Sequence, residues 1–244
     1  MRLSAQQVYE KLINEDKILE QSGIIKFFLG GIDIIIKQKD VIGNIIQEWL
    51  RGWFDKHDIE YSISHNTQMP PDFFLNRNNY TVDLLEVKAF NYAASPGFDI
   101  ADFRVYEEEI VDKPYMLYVD YLIFGYDIDD NGTVMIKKLW IKKVWEITRC
   151  MDEWAVNLQV KQGVVHKIRP GVWYSKQEGN IPMFARLEDF ISAIEETVYQ
   201  NPVTHGSAAT WRRRFTKNYE HFYGKKLDIP RWCDIENRYR QKKI

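Results

Sequence analysis

Apolar residues recur along this chain in two periods, and the switches between the periods mark its elements. In DVIGNIIQEWLRGWFDKHD (40–58), apolar positions 41, 42, 45, 46, 49, 50 and 53 predict a helix, with Asp40 placed to cap it. Residues 4–22 predict another, with Ser4 as N-cap and Val8, Leu12 and Ile13 on one side. IIKFFLGGIDIIIK (24–37) reads as two strands around Gly30-Gly31. IEYSIS (59–64) is a strand and HNTQMPP a loop; 73–75 and 80–90 are strands around NRNN.

After the breaker ASPG, residues 99–112 predict a helix that stops before Pro114. YMLYVDYLIFGYDI and TVMIKKLWI form a long hairpin closed by DDNG at 129–132. KKVWEITRCMD is a short helix, VVHKIRPGVWYS a strand pair and SKQEGNIPM a loop. Two helices follow, 187–200 and Ser207–Tyr223, the second entered through a Ser207 cap. Strands and helices interleave without a linker, repeat or low-complexity tract. The expectation is one α/β domain over 1–244 with a mixed central sheet.

Composition adds a core and removes a membrane. Hydrophobic residues make up 45% of the 244, enough for a sizeable interior. No apolar run reaches the roughly 18 residues a span needs, and the N-terminus lacks the apolar core of a signal peptide. Cys150 and Cys233 stand far apart without metal-ligand spacing, which points to a reduced, cytoplasmic protein. The five histidines show no HxH or HExxH spacing, and no phosphate-loop or nucleophile-elbow string occurs.

Net charge is only −2, but it is unevenly spread. Residues 205–244 carry eleven Lys and Arg against four Asp and Glu, a local +7 on a body of −9. That asymmetry is the footprint of a phosphate-binding surface, or of a solvated basic helix.

Chemistry concentrates in MPPDFFLNRNNYTVDLLEVKAF (69–90). Residues two apart on a strand share a face, so Glu86 and Lys88 point the same way amid core positions. Asp72 begins the preceding strand, where pairing can bring it beside Glu86. Two close carboxylates stay ionised only with a cation between them, and hard oxygen ligands suit Mg²⁺. The Lys88 ammonium can orient a water or offset charge growing on phosphorus.

Pro71-Asp72 followed by Glu86-Val87-Lys88 resembles the PD-(D/E)xK signature of restriction-endonuclease-like nucleases. The chain also resembles type II restriction endonucleases of the EcoRV-like branch, and within it the NgoBV/NlaIV group. VIGNIIQEWL, KHDIEY, HNTQMPPDF, EVK and WRRRFTKNYEHFYGKK carry that likeness. It implies a mixed sheet flanked by helices, a catalytic core at about 24–145, and a recognition and helical DNA-binding subdomain at about 160–244.

It further implies a homodimer that cuts both strands of a short palindrome in double-stranded DNA. The reaction is Mg²⁺-dependent and leaves 5′-phosphate and 3′-hydroxyl ends, with GGNNCC as the site and a blunt cut. Asp72 and Glu86 match the metal-binding acids and Lys88 the motif lysine. A further acid on the preceding helix falls where this chain has Gln47 or Glu48, so Glu48 is a candidate third ligand.

Base-edge readers are sought in two loops. Asn66 and Gln68 lie where the family carries its minor-groove loop, and Lys176, Gln177 and Asn180 where it carries its major-groove loop. Arg212, Arg213 and Lys217 are candidates for phosphate contacts, although three consecutive arginines on a helix cannot all face one backbone. Trp211, Tyr219, Phe222 and Tyr223 are expected in the core of that subdomain. Two other readings remain at this point: a repair or recombination nuclease on the same core, and a non-catalytic DNA-binding module.

Overall fold

The computed structural model describes residues 1–64, 69–175 and 181–240. In chain order its elements begin with α1 (Ala5–Glu10), β1 (Ser22–Ile24), β2 (Lys26–Leu29), β3 (Ile32–Ile35), α2 (Ile42–Lys56), β4 (Ser62–Ile63), β5 (Phe73–Phe74) and β6 (Leu84–Asn91). β7 (Ala101–Asp102), α3 (Phe103–Asp112), β8 (Asp120–Ile128), β9 (Thr133–Lys143), α4 (Val144–Ile147), β10 (Leu158–Lys161) and β11 (Val164–Ile168) follow. The chain continues through α5 (Leu187–Gln200), α6 (His205–Tyr223) and α7 (Trp232–Ile235). The fold is α/β, a mixed sheet flanked by helices.

Contacts divide the chain into two compact units. The first comprises Met1–Ser64, Pro71–Phe98 and Asp120–Lys142. It holds a six-stranded sheet in the order β1-β9-β8-β6-β5-β4. β6 and β8 run parallel, from Leu85↔Asp120 to Asn91↔Tyr126, while β5 pairs antiparallel with both β6 and β4. A central parallel pair must be buried on both faces, which explains the nearly unbroken apolar run of β8, buried from Tyr121 to Tyr126. α2 lays Ile42, Ile46, Leu50 and Phe54 into the same core as Phe73, Leu85, Leu122 and Phe124.

The second unit includes Asp99–Val119 and the described residues from Lys143 onward. Its sheet is β10-β11-β7, all antiparallel. On α6, Trp211, Phe215 and Tyr219 recur every fourth residue and are fully buried, as expected for the core of this unit. Phe222 departs from that expectation and is exposed.

Several expected boundaries move, each for a local reason. Ser4 does cap α1, its hydroxyl accepting from the Gln7 amide while the Gln7 side chain accepts from Ser4 N–H. The helix predicted over 4–22 nevertheless breaks up, because Lys17 takes a left-handed φ of 50° and β1 starts at Ser22. α2 opens after Val41 without a side-chain cap, so Asp40 does not cap it. β6 begins only at Leu84, after Asp83 turns at φ 53°.

α3 starts at Phe103 because Asp102 caps it, leaving Ala101–Asp102 as a strand. Pro114–Tyr118 forms a 3₁₀ turn, so β8 starts later than YMLY suggested. α6 begins at His205, and Ser207 lies inside it with its hydroxyl donating to the Thr204 carbonyl. VVHKI pairs backward with Leu158–Lys161 across Gln162-Gly163, both at positive φ, in place of forward with GVWYS.

Candidate active site

The site lies wholly in the first unit, where β5 meets β6. The last ladder pair is Phe73↔Leu85, and one step further the register sets Asp72 opposite Glu86. There the ladder stops using main chain. Val87 N–H donates to Asp72 Oδ2 at 2.8 Å, and Gln47 Nε2 on α2 donates to Asp72 Oδ1 at 2.8 Å. The carboxylate is thus clamped from a strand and a helix at once.

Glu86 is only 4% exposed. Its Oε1 accepts from Lys88 Nζ at 2.6 Å, while its Oε2 is buried with no hydrogen-bond partner. A buried carboxylate oxygen without a donor costs about 1–3 kcal/mol, a cost that a bound cation would offset.

Burial dominates the acid–base state of both groups. It pushes Glu86 up to about 7, helped by the Asp72 charge and opposed by Lys88. Asp72 is raised as well, mainly by burial, against the Val87 N–H, Lys88 and Gln47. Two neighbouring carboxyls that resist ionising together are the arrangement a cation relieves. Among the described residues no group of three His, Cys, Asp or Glu side chains gathers as a metal cage. The donor set is therefore two carboxylates, which suits a hard, largely hydrated ion completed by substrate oxygens.

The remaining candidates separate clearly. Glu48 is 70% exposed and sits 3.9 Å from Arg51, on the solvent side of α2, so the helix offers Gln47 to the site and not an acid. Asn66, Gln68, Lys176, Gln177 and Asn180 lie outside the described residues.

Arg212 is held mainly by partners within the second unit. It chelates Glu195 through Nε and Nη2 and donates to the carbonyls of Ile229 and Pro230, which ties α6 to α5 and commits most of its donors within the unit. Arg214 pairs with Glu108 at 2.9 Å. Arg213 and Lys217 are exposed one turn apart on the outer side of α6.

Gln47 was the residue the motif did not assign. Helical spacing contained the signal: Gln47, Leu50 and Phe54 share a face, and Leu50 and Phe54 are fully buried.

Comparison with known proteins places this geometry in context. The sequence model of the NgoBV restriction endonuclease family matches residues 2–239. The chain is 64% identical over 242 residues to the type II restriction enzyme NlaIV of Neisseria lactamica, covering 99% of this chain and 100% of that one. It is 59% identical over 162 residues to the type II restriction enzyme NgoBV of Neisseria gonorrhoeae, covering 66% of this chain and 92% of the relative. A solved structure of the NlaIV restriction endonuclease superposes with a TM-score of 0.96 at 64% identity, over 99% of this chain and 98% of that chain.

Proposed function

The chain belongs to the NgoBV restriction endonuclease family and is a type II restriction endonuclease, a DNA-cleaving enzyme; from that premise we propose that Asp72, Glu86 and Lys88 form its hydrolytic centre. Membership in this family decides against the repair-nuclease and non-catalytic readings. Enzymes of this type generally depend on a metal. The ion is Mg²⁺, held by Asp72 and Glu86. The unpartnered Glu86 Oε2 beside a second clamped carboxylate is the observation that carries this reading.

When bound, Mg²⁺ supplies Lewis acidity toward a phosphate oxygen and makes water easier to deprotonate near neutral pH. The chain supplies the rest. Gln47 and Val87 N–H hold Asp72 in one orientation before substrate arrives, which lowers the reorganisation the reaction requires. Lys88, held by Glu86, places an ammonium where it can steer the attacking water and neutralise charge growing on phosphorus. Water oxygen bonds to phosphorus as the bond to the 3′-oxygen breaks. The proton passes to the leaving oxygen through solvent, leaving 5′-phosphate and 3′-hydroxyl ends.

The substrate is double-stranded DNA, the site the palindrome GGNNCC and the cut blunt, as the likeness to the NgoBV/NlaIV group implies. Arg213 and Lys217 contact backbone phosphates, and the loops 65–68 and 176–180 read bases. The working form is a homodimer, one site per strand. Among the described residues no helix is long and apolar enough to cross a membrane, and the enzyme works in the cytoplasm.

Incubation with a plasmid carrying one GGNNCC site tests the whole reading. With Mg²⁺ it yields one linear product whose sequenced ends fall within that site, and with EDTA it yields none. Cleavage without a divalent ion would remove the metal assignment, and ends elsewhere would remove the target.

A further inference from the structure

The segment 176–180, proposed above to read bases, is flanked on both sides by described residues of the second unit, and both flanks are fastened to one strip, Ile147–Cys150. Upstream, Gly171 N–H donates to the Ile147 carbonyl at 2.8 Å. Downstream, Phe184 N–H donates to the Thr148 carbonyl at 3.1 Å, and Met183 forms an antiparallel bridge with Arg149. Ile147, Thr148 and Cys150 are fully buried, so the strip is a fixed base for both flanks.

The flanks also meet each other. A Cβ at Gly171 would lie 2.6 Å from Met183 Cε and 2.8 Å from its Sδ. Any side chain at 171 would therefore displace Met183 on the opposite flank.

A second lock comes from Tyr239, near the end of the described chain and 2% exposed. Its ring packs on Phe184 at 5.1 Å and stacks with Trp232 at an interplanar angle of 16°. Its hydroxyl accepts from Ala185 N–H at 3.2 Å and donates to Asp189 Oδ2 at 2.6 Å. Asp189 Oδ1 in turn accepts from Arg186 Nε at 3.0 Å. Cys150 Sγ donates to the Tyr239 carbonyl at 2.7 Å, which ties the same residue to the strip. One tyrosine thus holds Phe184 and Ala185 directly, and Arg186 through Asp189. A phenylalanine would fill the same space, but only the hydroxyl fixes where the flank's backbone lies.

We propose that Tyr239 is a specificity-positioning residue, which fixes the downstream flank of 176–180 so that its side chains meet one set of base edges. Bidentate readout depends on where each donor and acceptor stands. A supporting contact that lets a reading group drift by about an ångström costs up to about 100-fold. Tyr239 belongs to the second unit and the hydrolytic centre to the first, so its role concerns which sites are cut and not how the bond is broken. The inference rests on the reading of 176–180 as base-contacting.

The test is the ratio of cleavage rates at the site mapped for wild type and at the same site with one specified base pair exchanged. Tyr239→Phe keeps the ring and should lower that ratio at least about tenfold. Gly171→Ala, which presses on Met183 from the upstream side, should lower it by a smaller factor, and it decides the matter if Tyr239→Phe fails to fold. Glu107→Ala controls for a merely structural effect, because it removes the Trp211 contact elsewhere in the unit. Its melting temperature should fall while its ratio stays at the wild-type value. A folded Tyr239→Phe, or Gly171→Ala in its place, with the wild-type ratio overturns the inference. Alanine at Lys176, Gln177 and Asn180 tests the underlying reading separately. If those changes alter the ratio and Tyr239→Phe does not, only the positioning role falls. If they leave it unchanged, the base-reading assignment falls and this inference with it.

Discussion

Two buried glutamates, one in each unit, face the same physical problem and solve it differently. Glu86 on β6 and Glu107 on α3 are 4% and 2% exposed, and burial pushes both up to about 7. Glu107 finds its answer inside the chain, where the indole N–H of the fully buried Trp211 donates to its Oε2 at 2.7 Å. Glu86 has a lysine on one oxygen, no partner on the other, and a second carboxylate beside it. A perturbed acidity is common to both, so it does not distinguish a working group from a structural one. What sets Glu86 apart from Glu107 is the unpartnered oxygen beside a second carboxylate.

That contrast can be broken most severely by removing the working groups. Asp72→Ala and Lys88→Ala should each lower plasmid cleavage by about 10³-fold or more while the protein stays folded. Glu107→Gln, which keeps an acceptor for Trp211, should cleave normally once folded. A cleavage defect in Glu107→Gln as deep as in Asp72→Ala would erase the distinction between the two carboxyls.

The pH dependence of stability sharpens it. In the metal-free protein both glutamates keep their protons beyond the ordinary value of 4.5, up to about 7. Between those values the folded state binds more protons than the unfolded chain. Their stabilisation is therefore complete below pH 4.5 and is lost as pH rises to 7. Each carboxyl should contribute up to about 3 kcal/mol of that loss. Mg²⁺ should restore only the portion belonging to Glu86, and Glu86→Gln should abolish the restoration. Thermal unfolding at pH 5 and pH 8, with and without Mg²⁺, measures both.

A smaller effect lies in the second unit. Glu107→Ala leaves the Trp211 indole N–H with only the 3.1 Å contact to the Glu107 carbonyl, and should cost about 2 kcal/mol in urea unfolding. The smallest concerns the clamp. Gln47→Glu exchanges a donor for a third acid at the site, and should lower the Mg²⁺ concentration for half-maximal cleavage by roughly threefold to tenfold. An unchanged requirement would mean that position 47 positions Asp72 without reaching the ion.

The sequence made the cluster of Asp72, Glu86 and Lys88 legible because two-residue strand spacing and a Pro-Asp step are local signals. Glu86, Lys88 and Asp72 did come together. The choice between Gln47 and Glu48 was within reach of helical periodicity, since Leu50 and Phe54 mark the inward face. Arg212 was not legible, because its partners Glu195, Ile229 and Pro230 are all 17 or more residues distant and only the tertiary fold brings them together. Long helices were easier to locate than short strands. α5 was found at its true ends, because a full amphipathic period outweighs local turns, whereas Lys17 interrupts the first helix and Asp83 delays the start of β6, each by a left-handed φ that nothing in its side chain announces.

The bond from Val87 N–H to Asp72 Oδ2 has a consequence for assembly. The Asp72 carboxylate takes the place of a backbone acceptor, so the contact that aligns the two strands also fixes the proposed metal-binding acid. Slippage of β5 by one residue would turn Asp72 to the wrong side of the sheet and leave the Val87 amide unanswered. In an enzyme that cleaves DNA, a copy paired in the wrong register therefore lacks the carboxylate its strand ladder is built to aim.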